Sequence, residues 1–258
     1  MIKETDRQAA STVFEGMTSI SAVIEGARSG VSDRRILRVL YDRTRETARE
    51  RELCYLRRMG EALSFPIEPT GTEEIARLAT GSSHGGILAE CTARTIPPLD
   101  GDSLPAGGFV VLLEGIEDPY NFGYALRTLY AAGADAVVLT PRNWMSASGV
   151  VCRASAGASE LLPLWESEPV AAAETARRCG YRIVCAGIRD SVSAFDADLK
   201  RPLFLIVGGE KRGISRALLE QADAVVRLEY GRPFRGSLSA ASAASVLAYE
   251  VLRQNRGK

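Results

Sequence analysis

One guanidinium stands apart in this chain. Between Asp118 and Asp135 the single charged side chain is Arg127. It falls within Pro119-Tyr-Asn-Phe-Gly-Tyr-Ala-Leu-Arg-Thr-Leu-Tyr-Ala-Ala-Gly133, just after the apolar run Phe109-Val-Val-Leu-Leu113. If 121–132 is a helix, the neighbours of Arg127 one turn away are Gly123, Tyr124, Tyr130 and Ala131. None of these neutralises a guanidinium. A helix of small and aromatic residues packs on most sides, so Arg127 is expected in a semi-buried place. An unpaired buried charge costs several kcal/mol or more. Its partner must then come from elsewhere in the chain or from a bound anion. The competing reading is an arginine that snorkels to the surface.

Two further segments carry chemistry. The strand predicted at 203–207 runs into Gly208-Gly-Glu-Lys-Arg-Gly-Ile-Ser215. Paired glycines permit unusual turns and a close approach of ligand to backbone. The segment is neither a Walker loop nor a dinucleotide fingerprint. Glu210 is a carboxylate that could pair with Arg127. The third segment runs from Leu228 to Glu250, where Ser237 is expected to cap a helix rich in alanine and serine. Small residues there allow close backbone packing, and Val246, Leu247, Val251 and Leu252 provide an apolar face.

The rest of the catalytic menu is short. The 258-residue chain has one histidine, His84, so a multi-histidine metal site is excluded, and a Ser-His-Asp triad would have to use that residue. His84 sits in the turn-like Gly81-Ser-Ser-His-Gly-Gly86, where a structural bond to nearby backbone is expected. No metal is called for. The five cysteines form no Cys-x-x-Cys pair and read as reduced thiols of a cytoplasmic protein. No apolar run reaches the roughly 18 residues that span a membrane, and the N-terminus lacks the pattern of a secretory signal.

Formal net charge is zero but unevenly spread. From Arg28 to Arg58, ten arginines stand against five acids, and no lysine contributes. Arginine forks suit phosphate. Arg28, Arg34, Arg35 and Arg38 are therefore candidate nucleic-acid contacts, against the alternative of a solvated, internally paired helix face.

These residues must be positioned by an α/β framework. The first part alternates short strands (to Phe14-Glu-Gly16, 36–41, 64–67, 86–91) with helices (17–28, 44–59, 72–79). A stretch dense in proline and glycine marks a linker over about 96–107. Beyond it, apolar strands at 109–113, 136–140, 181–186, 203–207 and 224–228 alternate with helices near 121–132, 148–158, 168–179, 214–222 and 237–254. Such runs predict a mostly parallel sheet covered on both faces, with ligands beyond the carboxyl ends of its strands. The expected organisation is residues 1–95, the linker, and a second domain over 108–258.

Three islands occur in order: Asn121-Phe-Gly-x-x-x-Arg127, Gly208-Gly-Glu-x-x-Gly213, and Ser237-Leu-x-x-x-x-Ala243 leading to Tyr249-Glu250. Together they closely resemble the motifs of the SpoU/TrmH family of RNA ribose 2′-O-methyltransferases, over about 107–256. Ser155-Ala-Gly157 and Pro163 add to the match. The first part, with Glu15-Gly16 before a helix and the His84-Gly85 turn, looks like the ribosomal-protein-like RNA-binding domain of many members. The resemblance implies a deep trefoil knot in the C-terminal domain, a homodimer formed partly by the last helix, and ribosomal or transfer RNA as partner, with the N-terminal domain favouring ribosomal RNA. It implies S-adenosylmethionine held near Gly208, Gly209, Leu228, Leu238 and Ser239. It also implies catalysis by Arg127 with Asn121, Glu210 and Ser237 in support.

Two departures stand out. The family usually has asparagine two residues after the motif-three serine, where this chain has Ser239, and Arg232-Pro-Phe-Arg235 is not the usual approach to that serine. They keep open a second reading, a non-catalytic or weakened RNA-binding relative. A third, an ordinary nucleotide-binding α/β enzyme, lacks any phosphate-loop signature.

Overall fold

A computed structural model of the chain describes residues 12–141, 147–209 and 213–256. They fall into two compact units. The first contains the residues up to Thr95 together with 143–161; the second contains 96–142 and 162–258.

In the first unit, β1 (Val13–Glu15), β2 (Ile36–Asp42), β3 (Ile67–Thr70) and β4 (Ile87–Cys91) form a sheet in the order β1-β4-β2-β3. Helix α1 (Gly16–Arg28) buries Ile20, Val23 and Ile24, the residues its 3.6-residue period puts on one face, against Phe14, Val39 and Leu53. The helix expected over 44–59 begins later, as α2 (Glu50–Leu63). Two single 3₁₀ turns precede it, because Asp42 accepts from the backbone N–H of Thr44 at 3.0 Å and from its hydroxyl at 2.7 Å. That local bond competes with helix. Helix α3 (Thr72–Leu78) follows β3.

The second unit is a seven-stranded, wholly parallel sheet. Its strands are β5 (Phe109–Glu114), β6 (Ala136–Leu139), β7 (Leu164–Glu166), β8 (Arg182–Ala186), β9 (Val192–Ser193), β10 (Leu203–Gly208) and β11 (Ala224–Arg227), in the order β7-β6-β5-β10-β8-β11-β9. Helix α4 (Pro119–Ala131) follows β5. The short β7 and β9 have no counterpart in the sequence reading, for neither is long enough to show a period.

The domain limits need one correction. Helices α5 (Ser148–Ala154) and α6 (Ala158–Leu161) belong to the first unit, because Cys152 packs into the cluster around Phe14 and Ile20. The proline-rich 96–107 is likewise part of the second unit. Pro98 bridges to Glu166, and Leu104 joins the core with Val110 and Phe204. The second unit also holds α7 (Pro169–Arg178), α8 (Arg216–Gln221) and the closing α9 (Ala240–Asn255), which packs along α4. Among the described residues no helix is long and apolar enough to cross a membrane.

Candidate active site

Strand β10 lies between β5 and β8, with Val207 opposite Leu113 and Ile206 opposite Cys185. Its apolar residues are fully buried, as a central parallel strand requires. The strand ends on the glycine pair. A Cβ on Gly208 would stand 2.4 Å from the carbonyl carbon of Gly213, and one on Gly209 would stand 2.1 Å from the carbonyl oxygen of Gly115. Both obstacles are backbone, so no other residue fits. The turn returns at Gly213, whose N–H donates to the Gly209 carbonyl at 2.9 Å and whose φ is +63°.

A cavity of about 610 Å³ opens beside this turn. It lies at the carboxyl ends of β8, β10 and β11, where the parallel topology places ligands. Gly208, Gly209, Leu228 and Leu238, all named from sequence, line it, as does Ser237. Ile188 and Phe234 line it too and escaped the sequence reading. Ile188 was in principle findable, since it follows a predicted strand. Phe234, 57% exposed, sits in an irregular loop and stacks edge-on with Tyr230, ring centroids 5.5 Å apart. Apolar walls with backbone polar groups at one edge suit a flat aromatic group carrying a polar extension.

The last helix starts later than expected. Ser239, not Ser237, is its cap: the Ser239 hydroxyl oxygen accepts from the Ser242 N–H at 3.1 Å. Ser237 is exposed and free to face the cavity. Ser239 is not among the cavity-lining residues. Serine and asparagine are about equally good caps, so the departure at this position preserves the start of the helix.

Helix α4 is set by Asp118, whose carboxylate accepts from the Asn121 N–H at 2.8 Å, and by Pro119 in its first turn. Asn121 is half-buried at that turn. The expectation of a semi-buried Arg127 is corrected: the residue is exposed, and its guanidinium has no ion-pair partner among the described residues. The residues i−7 and i−3 from it, Tyr120 and Tyr124, are 44% and 50% exposed, so the aromatic face that was to bury it is itself open. Arg127 and Asn121 do not line the cavity. Glu210 lies outside the described residues.

The candidate RNA contacts divide. Arg28 and Arg35 are exposed, Arg28 with Glu25 at 4.0 Å. Arg34 is corrected to a structural residue. It is 2% exposed, with Nε 3.0 Å from Glu160 Oε2, a nitrogen donating to the Thr92 carbonyl at 2.6 Å, and its guanidinium carbon 4.6 Å from the centre of the Phe14 ring. Arg38 is only partly available. It holds Glu90 through two 2.8 Å bonds and reaches Glu68 at 3.5 Å, and the Glu90 bond raises its pKa further. Carboxylates from 68, 90 and 160 thus offset much of the arginine surplus counted over 28–58. His84 behaves as expected of a structural histidine, its Nδ1 accepting from the Gly86 N–H at 3.0 Å.

The sequence profile described as the SpoU rRNA Methylase family matches residues 108–249. A 23S rRNA (guanosine-2′-O-)-methyltransferase RlmB of Shewanella oneidensis is 30% identical over 80% of this chain and 86% of its own length. Two solved structures share the fold. An AdoMet-bound rRNA methyltransferase from Sinorhizobium meliloti superposes with a TM-score of 0.78 at 21% identity, covering 97% of this chain and 94% of that one. The SpoU methyltransferase AviRb from Streptomyces viridochromogenes, in complex with AdoMet, gives 0.75 at 23%, covering 99% and 94%. The three sequence islands, the glycine turn with its cavity and these likenesses agree: the chain belongs to the SpoU rRNA methylase family.

Proposed function

We propose that this chain methylates a ribose 2′-hydroxyl of RNA, ribosomal RNA being the substrate class, with S-adenosylmethionine as donor, in the cytoplasm. The observation that carries the reading is the cavity beside Gly208 and Gly209. Its residues fit the donor. Leu228, Leu238 and Ile188 offer apolar surface to an adenosine, and the glycine turn brings backbone within reach of its polar edge. When bound, S-adenosylmethionine supplies a methyl group already activated by a sulfonium.

The protein's own task is then small. Holding the ribose in line and excluding water can supply much of the rate. Arg127 would orient the RNA through a phosphate and stabilise the alkoxide that develops as the hydroxyl loses its proton. Serving as the base itself is harder for a group with a pKa above about 12. Asn121, Ser237 and Glu210 would support it.

The exposed stripe of Tyr120, Tyr124 and Arg127 on α4, with Val246 and Tyr249 exposed on the adjoining α9, favours a homodimer in which a second copy covers this face. Arg127 would then gain the enclosure it lacks in one copy. The glycine turn, too tight for any Cβ, suits a chain threaded as a trefoil knot. The capping role of Ser239 supports an intact start of α9 in spite of the departure there.

Calorimetry and a methylation assay test the proposal. Micromolar binding of S-adenosylmethionine, with ribose methylation of ribosomal RNA, is expected. Arg127→Ala should abolish transfer and leave cofactor binding intact. Wild-type transfer by Arg127→Ala, or no cofactor binding by the wild type, would refute it.

A further inference from the structure

Between β11 and α9 the chain runs through Leu228-Glu-Tyr-Gly-Arg-Pro-Phe-Arg-Gly-Ser-Leu-Ser239. Residues of this loop form one rim of the cavity of about 610 Å³, and Glu229 to Leu238 are all exposed. It contains Arg232-Pro-Phe-Arg235, where the chain departs from its family's pattern. Family membership therefore assigns these residues no role, and the role has to be read from their own side chains.

Three contacts fix the loop's shape. The Tyr230 phenol oxygen accepts from the Leu238 N–H at 3.3 Å, which ties the two ends together. The Phe234 ring meets Tyr230 edge-on, with centroids 5.5 Å apart and planes at 71°. Gly236 has to be bare, since a Cβ there would stand 2.6, 3.0 and 3.2 Å from three carbons of the Phe234 ring. Pro233 also fixes one backbone angle immediately before that ring.

The ring is held in place and still left open. Phe234 and Tyr230 both line the cavity, yet they remain 57% and 39% exposed. Apolar surface kept in water is unfavourable unless something covers it. A phenylalanine anchored by its neighbours offers a π face whose ordering cost the fold has already met.

Charge selects what stacks there. Arg232 and Arg235 stand on either side of Phe234 in sequence. Both are exposed, and neither has an ion-pair partner among the described residues. The loop's one carboxylate, Glu229, is engaged by Arg227 at 3.3 Å. S-adenosylmethionine carries a sulfonium and an ammonium against a single carboxylate, so two uncompensated arginines gain little from it. An RNA strand repeats a phosphate and a base with every nucleotide, which an arginine–aromatic–arginine loop matches.

We infer that this loop grips the substrate strand beside the donor cavity, with one base stacked on Phe234 and the flanking phosphates on Arg232 and Arg235. Tyr230 and Gly236 are positioning residues that hold the ring for that contact. The inference rests on the reading of the chain as an enzyme of RNA. It gives the second unit a substrate contact carried by residues that the family pattern does not supply.

The full chain is titrated, without S-adenosylmethionine, with a fluorescein-labelled single-stranded RNA dodecamer over a series of potassium chloride concentrations. Calorimetry on the same proteins gives S-adenosylmethionine affinity. Phe234→Ala should weaken RNA binding about tenfold, ~1.4 kcal/mol, and Phe234→Trp should restore it. Arg232→Gln combined with Arg235→Gln should flatten the slope of log affinity against log salt by about 1.4, two contacts at about 0.7 each on a single strand. S-adenosylmethionine affinity should stay near the wild-type value in all of them. RNA affinity unchanged in Phe234→Ala, or a salt slope unchanged in the double variant, overturns the inference. So does a loss of S-adenosylmethionine affinity as large as the loss of RNA affinity, which makes the ring a wall of the donor cavity instead. Ribose methylation of ribosomal RNA is measured alongside. A wild type that binds RNA through this loop and transfers no methyl group counts against the proposed reaction, not against the loop.

Discussion

Replacing Arg34 distinguishes a structural arginine from an RNA contact. Its guanidinium and the Glu160 carboxylate are 2% and 3% exposed and 3.0 Å apart. Glu160 also takes the Ser32 hydroxyl at 3.3 Å, and Arg34 holds the Thr92 carbonyl at 2.6 Å. Arg34→Ala therefore leaves a buried carboxylate with only two long hydroxyl bonds, from Ser32 at 3.3 Å and Ser159 at 3.4 Å, and a carbonyl with a bond removed. Breaking a buried pair from one side costs about 3–5 kcal/mol. With a urea slope of about 2 kcal/mol per molar, the unfolding midpoint of this unit should fall by about 2 M. Arg35→Ala, next door but exposed, should stay within about 0.5 kcal/mol of wild type. Arg34→Met combined with Glu160→Leu should recover much of the loss, because the uncompensated charge is then gone. The assay is urea unfolding followed by circular dichroism, alongside RNA binding at a denaturant-free reference. An Arg34→Ala protein with the wild-type midpoint and weakened RNA binding would refute the reasoning and restore Arg34 to the RNA surface.

Gly209→Ala forces its methyl group onto the Gly115 carbonyl, so calorimetry should show S-adenosylmethionine affinity falling more than tenfold; Gly231→Ala, with nothing within 4 Å of its Cβ, should bind normally. Ser239→Ala should cost about 1 kcal/mol in urea unfolding while Ser239→Asn costs little, as expected of a cap; equal losses would exclude the capping role. Native alkylation followed by mass spectrometry should label the exposed Cys54 and Cys179 and spare Cys91, Cys152 and Cys185, since burial pushes the Cys152 and Cys185 thiols up to about 12 and raises Cys91 as well. Burial alone would raise the Glu15 carboxyl, but bonds from Thr80 and the charge of Arg153 outweigh it and hold the group below the usual carboxylate range. Its contribution to stability is therefore present above the unfolded value of about 4.3 and is lost as pH falls through the lower folded value. Glu15→Gln should flatten the acid limb of the stability profile below about pH 5, and an unchanged limb would refute the assignment.

What the sequence settled by itself is local and periodic. Continuous apolar runs such as 109–113 and 203–207 could only be buried strands, and their alternation with helices required a parallel sheet with ligands at its carboxyl edge. The glycine pair at 208 and 209 was legible for the same reason: residue type alone reveals where a backbone must be bare. Tertiary structure decided whatever depends on partners distant in the chain. Arg34 reads as one more arginine in a basic run until Glu160, 126 residues later, closes on it. Arg127 seemed bound for burial because a helix of tyrosines suggests packing, yet in a single chain those tyrosines face outward. Ser237 and Ser239 are equivalent on paper, and only the path of the backbone into α9 chose the cap. Residues 148–161 belong by order to one unit and by packing to the other. Sequence fixes which groups are available and at what spacing; burial and pairing are set by the three-dimensional path that brings remote carboxylates, rings and backbone together.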